Sequence, residues 1–327
     1  MNERKPKEMI CAGEVLFDMI SVDAGKSLAE STQFKKRMGG SPFNVCCGLA
    51  RLGEQCSFFT QIGDDSFGKS VGAYLKDHHI DTKNTFIKDG ANTSLAFAGV
   101  DRFGRADYEF YRDHTADVTI GLDKVDRVDL SDCSIFHFGS LAIVDEPGAQ
   151  TYLKLFERAF SYPLLKSFDP NVRPFYIHNR EHYINQVLDI IRSVEVLKLS
   201  DEDLYYISGE NDPAKALNSL PVNPQRMEFV TLGENGCLIH LGQRTKRIEG
   251  YRVDVTDTVG CGDAFMAGVL KVINQASAFD GHDPFALMEK AARFAVACSA
   301  IVAMRDGAAD SMPTEKEVNA FIAEREK

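Results

Sequence analysis

Nine residues constrain this chain more than any others: Asp257-Thr258-Val259-Gly260-Cys261-Gly262-Asp263-Ala264-Phe265. Before them, Tyr251 to Thr256 alternates as a strand does; after them, Ala264, Phe265, Met266, Val269, Leu270, Val272 and Ile273 recur at helical spacing. Two glycines and an aspartate therefore sit where a strand enters the first turn of an apolar helix. Such a junction presents unpaired backbone N–H groups backed by the helix dipole, and glycine lets an anion approach them closely. A carboxylate at the mouth would repel a resting anion, so Asp263 suits proton handling better than anion binding.

Two familiar phosphate motifs do not fit. The dinucleotide fingerprint needs a third glycine three residues after the second, where Phe265 stands, and the P-loop needs Gly-Lys-Ser/Thr after its spacer. An ordinary strand-to-helix turn with Asp263 as N-cap would use the same residues.

A chain of 327 residues can bury a large core, and its 44% hydrophobic and 26% charged residues are those of a soluble globular protein. A formal net charge of −11 argues against nucleic acid or an anionic membrane as main partner. Anionic ligands must then rely on local arginines and backbone amides. No window approaches the roughly 18 apolar residues of a membrane helix, and the charged start lacks a signal-peptide core, so a cytoplasmic protein is expected. The eight cysteines form no Cys-x-x-Cys pair, which points to reduced, buried thiols rather than zinc or disulfides.

In chain order, Met9 to Ile20 is a near-continuous apolar run, expected of a strand buried on both faces of a parallel sheet. Asp18 interrupts it, either at a solvated strand end or aimed into a site. After a polar stretch, Gly39-Gly40 break a strand and Ser41-Pro42 start a helix ending at Gly53, with Asn44 in its first turn. Residues 93–112 read as a hairpin turning at Arg102–Arg105, with Arg112 at its end as a site residue or an edge-strand charge. Two such strands are unstable alone. Strands and helices then alternate, with helices over Gly68–His78, Glu146–Ser161 and Pro284–Met304. Asp169, Asn171 and Arg173, two apart, can share one side of an extended segment, although Asp-Pro-Asn is also plain turn chemistry. Ser200 and Asp203 fit a helix N-cap with an acidic first turn, and Phe229–Ile239 reads as strand, glycine turn and strand.

Taken together these motifs resemble the ribokinase-like (PfkB) sugar kinases, from Gly13 to Pro313. The organising stretch is similar to that family's C-terminal signature, and Gly39-Gly40-Ser-Pro-Phe-Asn44 with Ala50-Arg-Leu-Gly53 to its N-terminal one, with Ser41 where alanine is commoner. Gly63-Asp-Asp65-Ser-Phe-Gly68, Phe110-Tyr-Arg112, Phe168-Asp-Pro-Asn-Val-Arg173 and Thr231-Leu-Gly233-Glu-Asn-Gly236 resemble further family strings, several of them in the fructokinase-type subgroup.

The resemblance implies a three-layer α/β/α sandwich with a mostly parallel sheet, as one domain over residues 1–327, and a β lid inserted as segments near 19–38 and 93–118. It implies ATP-dependent phosphorylation of a sugar hydroxyl, most readily of fructose. Asp263 would take the proton, and the Gly260, Cys261 and Gly262 amides would hold phosphoryl charge. Asp18, Gly39, Gly40, Asn44, Arg112 and Arg173 would hold the sugar, and Ser200, Thr231, Gly233 and Gly236 would border ATP. Asp203 stands where the family places a glutamate that organises magnesium-bound water. Asp257, Val259 and Ser311 would hold a monovalent cation such as potassium. Leu95, Phe97 and Phe110 in the lid would seek a partner surface, giving a homodimer. 2-Keto-3-deoxygluconate kinase activity and an inactive kinase-like scaffold are the alternatives.

Overall fold

The computed structural model describes residues 7–23, 25–100, 106–276 and 283–325. Among these residues the strands are β1 (Glu8–Ala12), β2 (Leu16–Ser21), β3 (Phe34–Gly39), β4 (Cys56–Gly63), β5 (Thr85–Lys88), β6 (Ser94–Val100), β7 (Ala106–Tyr111), β8 (Cys133–Gly139), β9 (Leu165–Asp169), β10 (Val196–Ser200), β11 (Met227–Thr231), β12 (Cys237–Leu241) and β13 (Arg244–Ile248). The α-helices are α1 (Ser41–Arg51), α2 (Ser66–Asp77), α3 (Gly148–Ala159), α4 (Arg180–Ser193), α5 (Asp201–Ser208), α6 (Pro213–Ser219), α7 (Cys261–Gln275), α8 (Pro284–Ala303) and α9 (Glu315–Arg325).

Nine strands form the main sheet in the order β13-β12-β11-β10-β9-β8-β1-β4-β5. Neighbours from β11 to β5 run parallel, and β12 and β13 add an antiparallel edge. Its two faces bury different halves of each strand. Met9 and Cys11 of β1 join the core under α1, α2, α7, α8 and α9, whereas Ile10 and Ala12 join the core under α3 to α6. Burial on both faces is why β1 lacks the polar alternation of a half-exposed strand. The three-layer α/β architecture is the one expected.

A second sheet, β3-β2-β6-β7, forms the lid. Here the expectation for the first apolar run needs correction. Met9 to Ile20 is two strands rather than one: Gly13, at φ 154°, turns the chain out of the main sheet, and β2 pairs with β3 and β6 instead. The run stays apolar because both sheets bury it, so composition hides the exchange. The lid therefore starts at Leu16, and Asp18 lies on a lid strand. The expected turn Arg102–Arg105 lies outside the described residues.

The expected strand over Tyr251 to Thr256 does not form. The amides of Thr256 and Asp257 donate to Ala303 O at the end of α8 (2.8 and 3.3 Å), and Tyr251 packs edge-on against Phe321 of α9. Tyr251 and Val253 are half-buried against the core while Arg252 and Asp254 are exposed, so the alternation arises without a strand partner. The predicted helices appear as α2, α3 and α8, each end within two residues of its expected place. Among the described residues no helix is long and apolar enough to cross a membrane.

Candidate active site

Parallel strands β1, β8, β9, β10 and β11 all end on one rim of the sheet, where ligands of open α/β sheets bind. Two cavities open there, of about 840 and 790 Å³. The first is lined by Ser200, Asp203, Thr231, Gly233 and Gly236; the second by Asp18, Gly40, Asn44 and Asp263 under the lid. They meet at Asn171, Val172, Arg173, Glu202, Thr258 and Gly262. The organising motif thus stands at the joint between two ligand-sized spaces.

Gly260 is the N-cap of α7 in the left-handed conformation (φ 82°), and a Cβ there would stand 2.9 Å from Ala308 Cα, so turn and packing both require glycine. The amides of Gly262 and Asp263 fall in the first turn, beyond reach of any intrahelical carbonyl, and serve an anion well. Asp263 is the third residue of α7 and does not cap it. Its Oδ1 accepts from Ser41 Oγ (2.6 Å) and its Oδ2 from Asn44 Nδ2 (2.8 Å), both from the first turn of α1. Burial pushes its carboxyl up; Ser41, Asn44, Lys198 and Arg173 oppose that rise. The result is a buried carboxylate held by two neutral donors, oriented and poised to take a proton.

Gly39 and Gly40 carry β3 into α1. Gly40 has φ 110°, and a Cβ on it would stand 2.5 Å from Glu14 O, so the lid strand can enter the helix this closely only with glycine. Asp18 faces the same cavity with its carboxyl pushed up to about 6, chiefly by burial, against the pull of Arg173 and Arg37. Arg173 lines both cavities, its Nη1 donating to Asn171 Oδ1 (2.6 Å). Arg112 is placed differently. It is buried behind the cavity, donating to Asp117 Oδ2 (2.7 Å) and Asp145 Oδ2 (2.6 Å), and it lines neither space. A charge that both edge and site readings left open is instead the centre of a buried ion network.

On the first cavity's wall, Ser200 and Asp203 form a full capping box for α5. Asp203 Oδ2 accepts from Ser200 N (2.8 Å) and Oδ1 from Val172 N (2.7 Å), which ties α5 to the Asn171–Arg173 turn. Lys198 escaped the sequence reading. Its Nζ donates to Asp169 Oδ2 (2.9 Å) and stands 3.1 Å from where a Cβ of Gly262 would be, bringing a buried ammonium against the anion-binding turn. A lysine inside the apolar run Val196-Leu-Lys-Leu was the available signal, since a buried charge needs a partner or a task.

The groups expected around a monovalent cation lie beside lid strand β3. Asp257 Oδ1 accepts from Val259 N (3.1 Å), and its Oδ2 is ion-paired with Arg37 Nη1 (2.5 Å) from lid strand β3. Arg37 and Lys35 also pair with Asp306, and Ser311 Oγ donates to Asp306 O (3.0 Å). One carboxylate oxygen of Asp257 is thus paired with a guanidinium from the lid, beside the groups expected around a monovalent cation.

Known proteins bear on this geometry. The sequence pattern described as pfkB family carbohydrate kinase matches residues 6–315. The chain belongs to that family. Fructokinase-1 of Oryza sativa subsp. japonica is 33% identical over 316 residues, covering 95% of this chain and 96% of the relative. A probable fructokinase-4 of Arabidopsis thaliana is 32% identical, covering 96% of each. The crystal structure of a fructokinase with bound ATP from Xylella fastidiosa superposes with a TM-score of 0.86 at 28% identity, covering 99% of this chain and 100% of that one. This chain is therefore a carbohydrate kinase, a phosphotransferase acting on a sugar hydroxyl.

Proposed function

We propose that the protein phosphorylates fructose with ATP and magnesium. The observation that carries the reading is Asp263, buried at the joint of two cavities and held by Ser41 and Asn44 beside the open amides of α7. A sugar under the lid presents a hydroxyl to Asp263, which takes its proton as the phosphoryl group crosses from the nucleotide side. The Gly262 and Asp263 amides and Lys198 face the charge that develops on that group. Asp203 and Glu202, which line the nucleotide cavity, are the carboxylates that would hold the water shell of nucleotide-bound magnesium, which neutralises phosphate charge. Glu14, Asp18 and Asp263 line the sugar cavity against Arg173, an acidic balance that favours a neutral sugar over 2-keto-3-deoxygluconate, which carries a carboxylate. Intact Asp263, Gly260 and Gly262 count against a scaffold.

A cytoplasmic location fits eight unbridged cysteines, seven of them buried. A lid-to-lid homodimer now rests on fewer side chains than expected. Leu95 packs on the main core and Phe110 on Phe175 and Tyr176, leaving the row Phe34, Phe97 and exposed Tyr111 for a partner. Sedimentation showing a monomer at micromolar concentration would remove that proposal. For the activity, purified enzyme is assayed on fructose, ribose, glucose and ketodeoxygluconate with ATP and magnesium. Fructose should give the highest kcat/KM; a preference for ketodeoxygluconate would overturn the substrate assignment.

A further inference from the structure

Glu14 sits in the three-residue connection between β1 and β2, where the chain leaves the main sheet for the lid. It lines the inner wall of the sugar cavity and is 1% exposed. Its two oxygens are treated differently. Oε1 accepts from Ser41 N (3.3 Å), the first amide of α1, and so replaces the cap that Gly40 cannot supply. Oε2 is buried with no hydrogen-bond partner. A buried carboxylate oxygen left open costs stability, and such an atom in a folded protein asks for an explanation. Burial pushes the Glu14 carboxyl up to about 7 while Arg112, Ser140 and its own backbone amide favour the ionised form.

One neighbour shares the pattern and a second is strained beside it. Asn44 Oδ1 is also buried and without a partner, while its amide nitrogen is spent on Asp263. Ser140, on the same wall, is held at φ 55°, a left-handed conformation that serine adopts at a cost. Glu14 and Asn44 line the same cavity, and a donor brought by a ligand there would supply the partner these two oxygens lack.

We propose that Glu14 accepts a hydrogen bond from a sugar hydroxyl at the inner end of the cavity, making it a specificity-determining residue for neutral polyols. The proposal rests on the sugar-kinase reading. A missing hydroxyl leaves the Oε2 acceptor buried and unmet, and a carboxylate brought into its place meets Glu14 as a like charge.

The test uses full-length enzyme at pH 8 with fructose and a series of monodeoxyfructoses, for wild type, Glu14→Gln and Glu14→Asp. Equilibrium ATP binding and melting temperature are measured alongside. In wild type, one monodeoxyfructose should lose roughly 10- to 100-fold in kcat/KM, the worth of one hydrogen bond to a charged group. In Glu14→Gln, fructose KM should rise over the same range and that analogue should no longer be penalised, with ATP binding within about twofold of wild type. Glu14→Asp keeps the charge but withdraws it by one methylene, so it should also raise fructose KM. Fructose KM within twofold of wild type in a folded variant overturns the proposal, as does an unchanged deoxysugar penalty. Wild type inactive on every sugar would overturn the kinase reading instead.

Discussion

Ser41 Oγ donates to Asp263 Oδ1 across 2.6 Å, joining the first residue of α1 to the third of α7. The bond is buried and favours the ionised carboxylate. Asp263 is also faced by Asn44 from α1, Lys198 from β10 and Arg173 after β9, which favour its charge, and by Asp18 of β2 and Asp169 of β9, which oppose it. Removing one donor raises the carboxyl further. In Ser41→Ala the acid limb of the kcat/KM profile should move to higher pH, with turnover several-fold lower on that limb and nearly normal at pH 8. Ser41→Thr should restore it. Superimposable limbs for wild type and Ser41→Ala would show that the serine only packs.

Replacing the proposed base itself separates chemistry from binding. Asp263→Asn keeps shape and can still accept from Ser41, and Asn44 can turn its open oxygen toward the new amide. Turnover should fall by about 10²–10⁴, the usual worth of a general base. ATP affinity should hold or rise, because the α7 amides remain and a negative charge near the phosphates is gone. Stability at neutral pH should not fall, since a buried charge has been removed. Turnover within a few-fold of wild type would defeat the proposed mechanism; kinetics, calorimetric ATP binding and a melting curve on one variant decide it.

How far the sequence reached depends on how local each cause was. The turn at Gly260 and the helix behind it were legible because positive φ, open amides and apolar spacing lie within a few residues. Ser200 and Asp203 were legible as a cap for the same reason. The β1–β2 exchange was not, because Gly13 turns the chain between two surfaces that are equally apolar. Arg112 shows the limit: Asp117 is five residues away, but Asp145 reaches it only through the fold. Glu14 carried the same signal as Lys198, a charge inside an apolar run, but its meaning lies in a buried oxygen without a hydrogen-bond partner, which only the fold reveals.

The Arg37–Asp257 pair bears on potassium. With Oδ2 of Asp257 paired to a guanidinium at 2.5 Å, an added monovalent cation gains little at that carboxylate while Arg37 stays. Wild-type turnover should therefore differ by only about twofold between potassium and tetramethylammonium, as a side chain 17% exposed competes with a hydrated ion. Arg37→Ala frees the carboxylate, and potassium should then stimulate by a clearly larger factor. It also removes a tie between the lid and the Asp306 loop, so sugar KM should rise. Equal potassium responses in both proteins would show that the pair has no part in cation binding.

Asp18 offers the pH test with the clearest sign. Burial holds its folded carboxyl at about 6, above the ordinary 3.8, with Arg173 and Arg37 opposing and Asp263 adding to the rise. A folded pKa above the unfolded one means the folded state keeps a proton that the unfolded state has released. Stability conferred by the protonated form is thus full below about pH 4 and lost as pH rises through about 6. Two units of displacement correspond to about 3 kcal/mol at most, or several degrees in melting temperature. Asp18→Asn removes that penalty. Its melting temperature should exceed that of wild type at pH 8 and converge with it near pH 4. The same variant should bind fructose far more weakly, so fructose should raise the melting temperature of wild type and barely move the variant. A carboxylate that costs stability when empty and stabilises the complex when filled is what a binding residue looks like. Parallel melting curves for the two proteins from pH 4 to 8 would mean Asp18 titrates as an ordinary surface acid, and its assignment to the sugar would lose its physical basis.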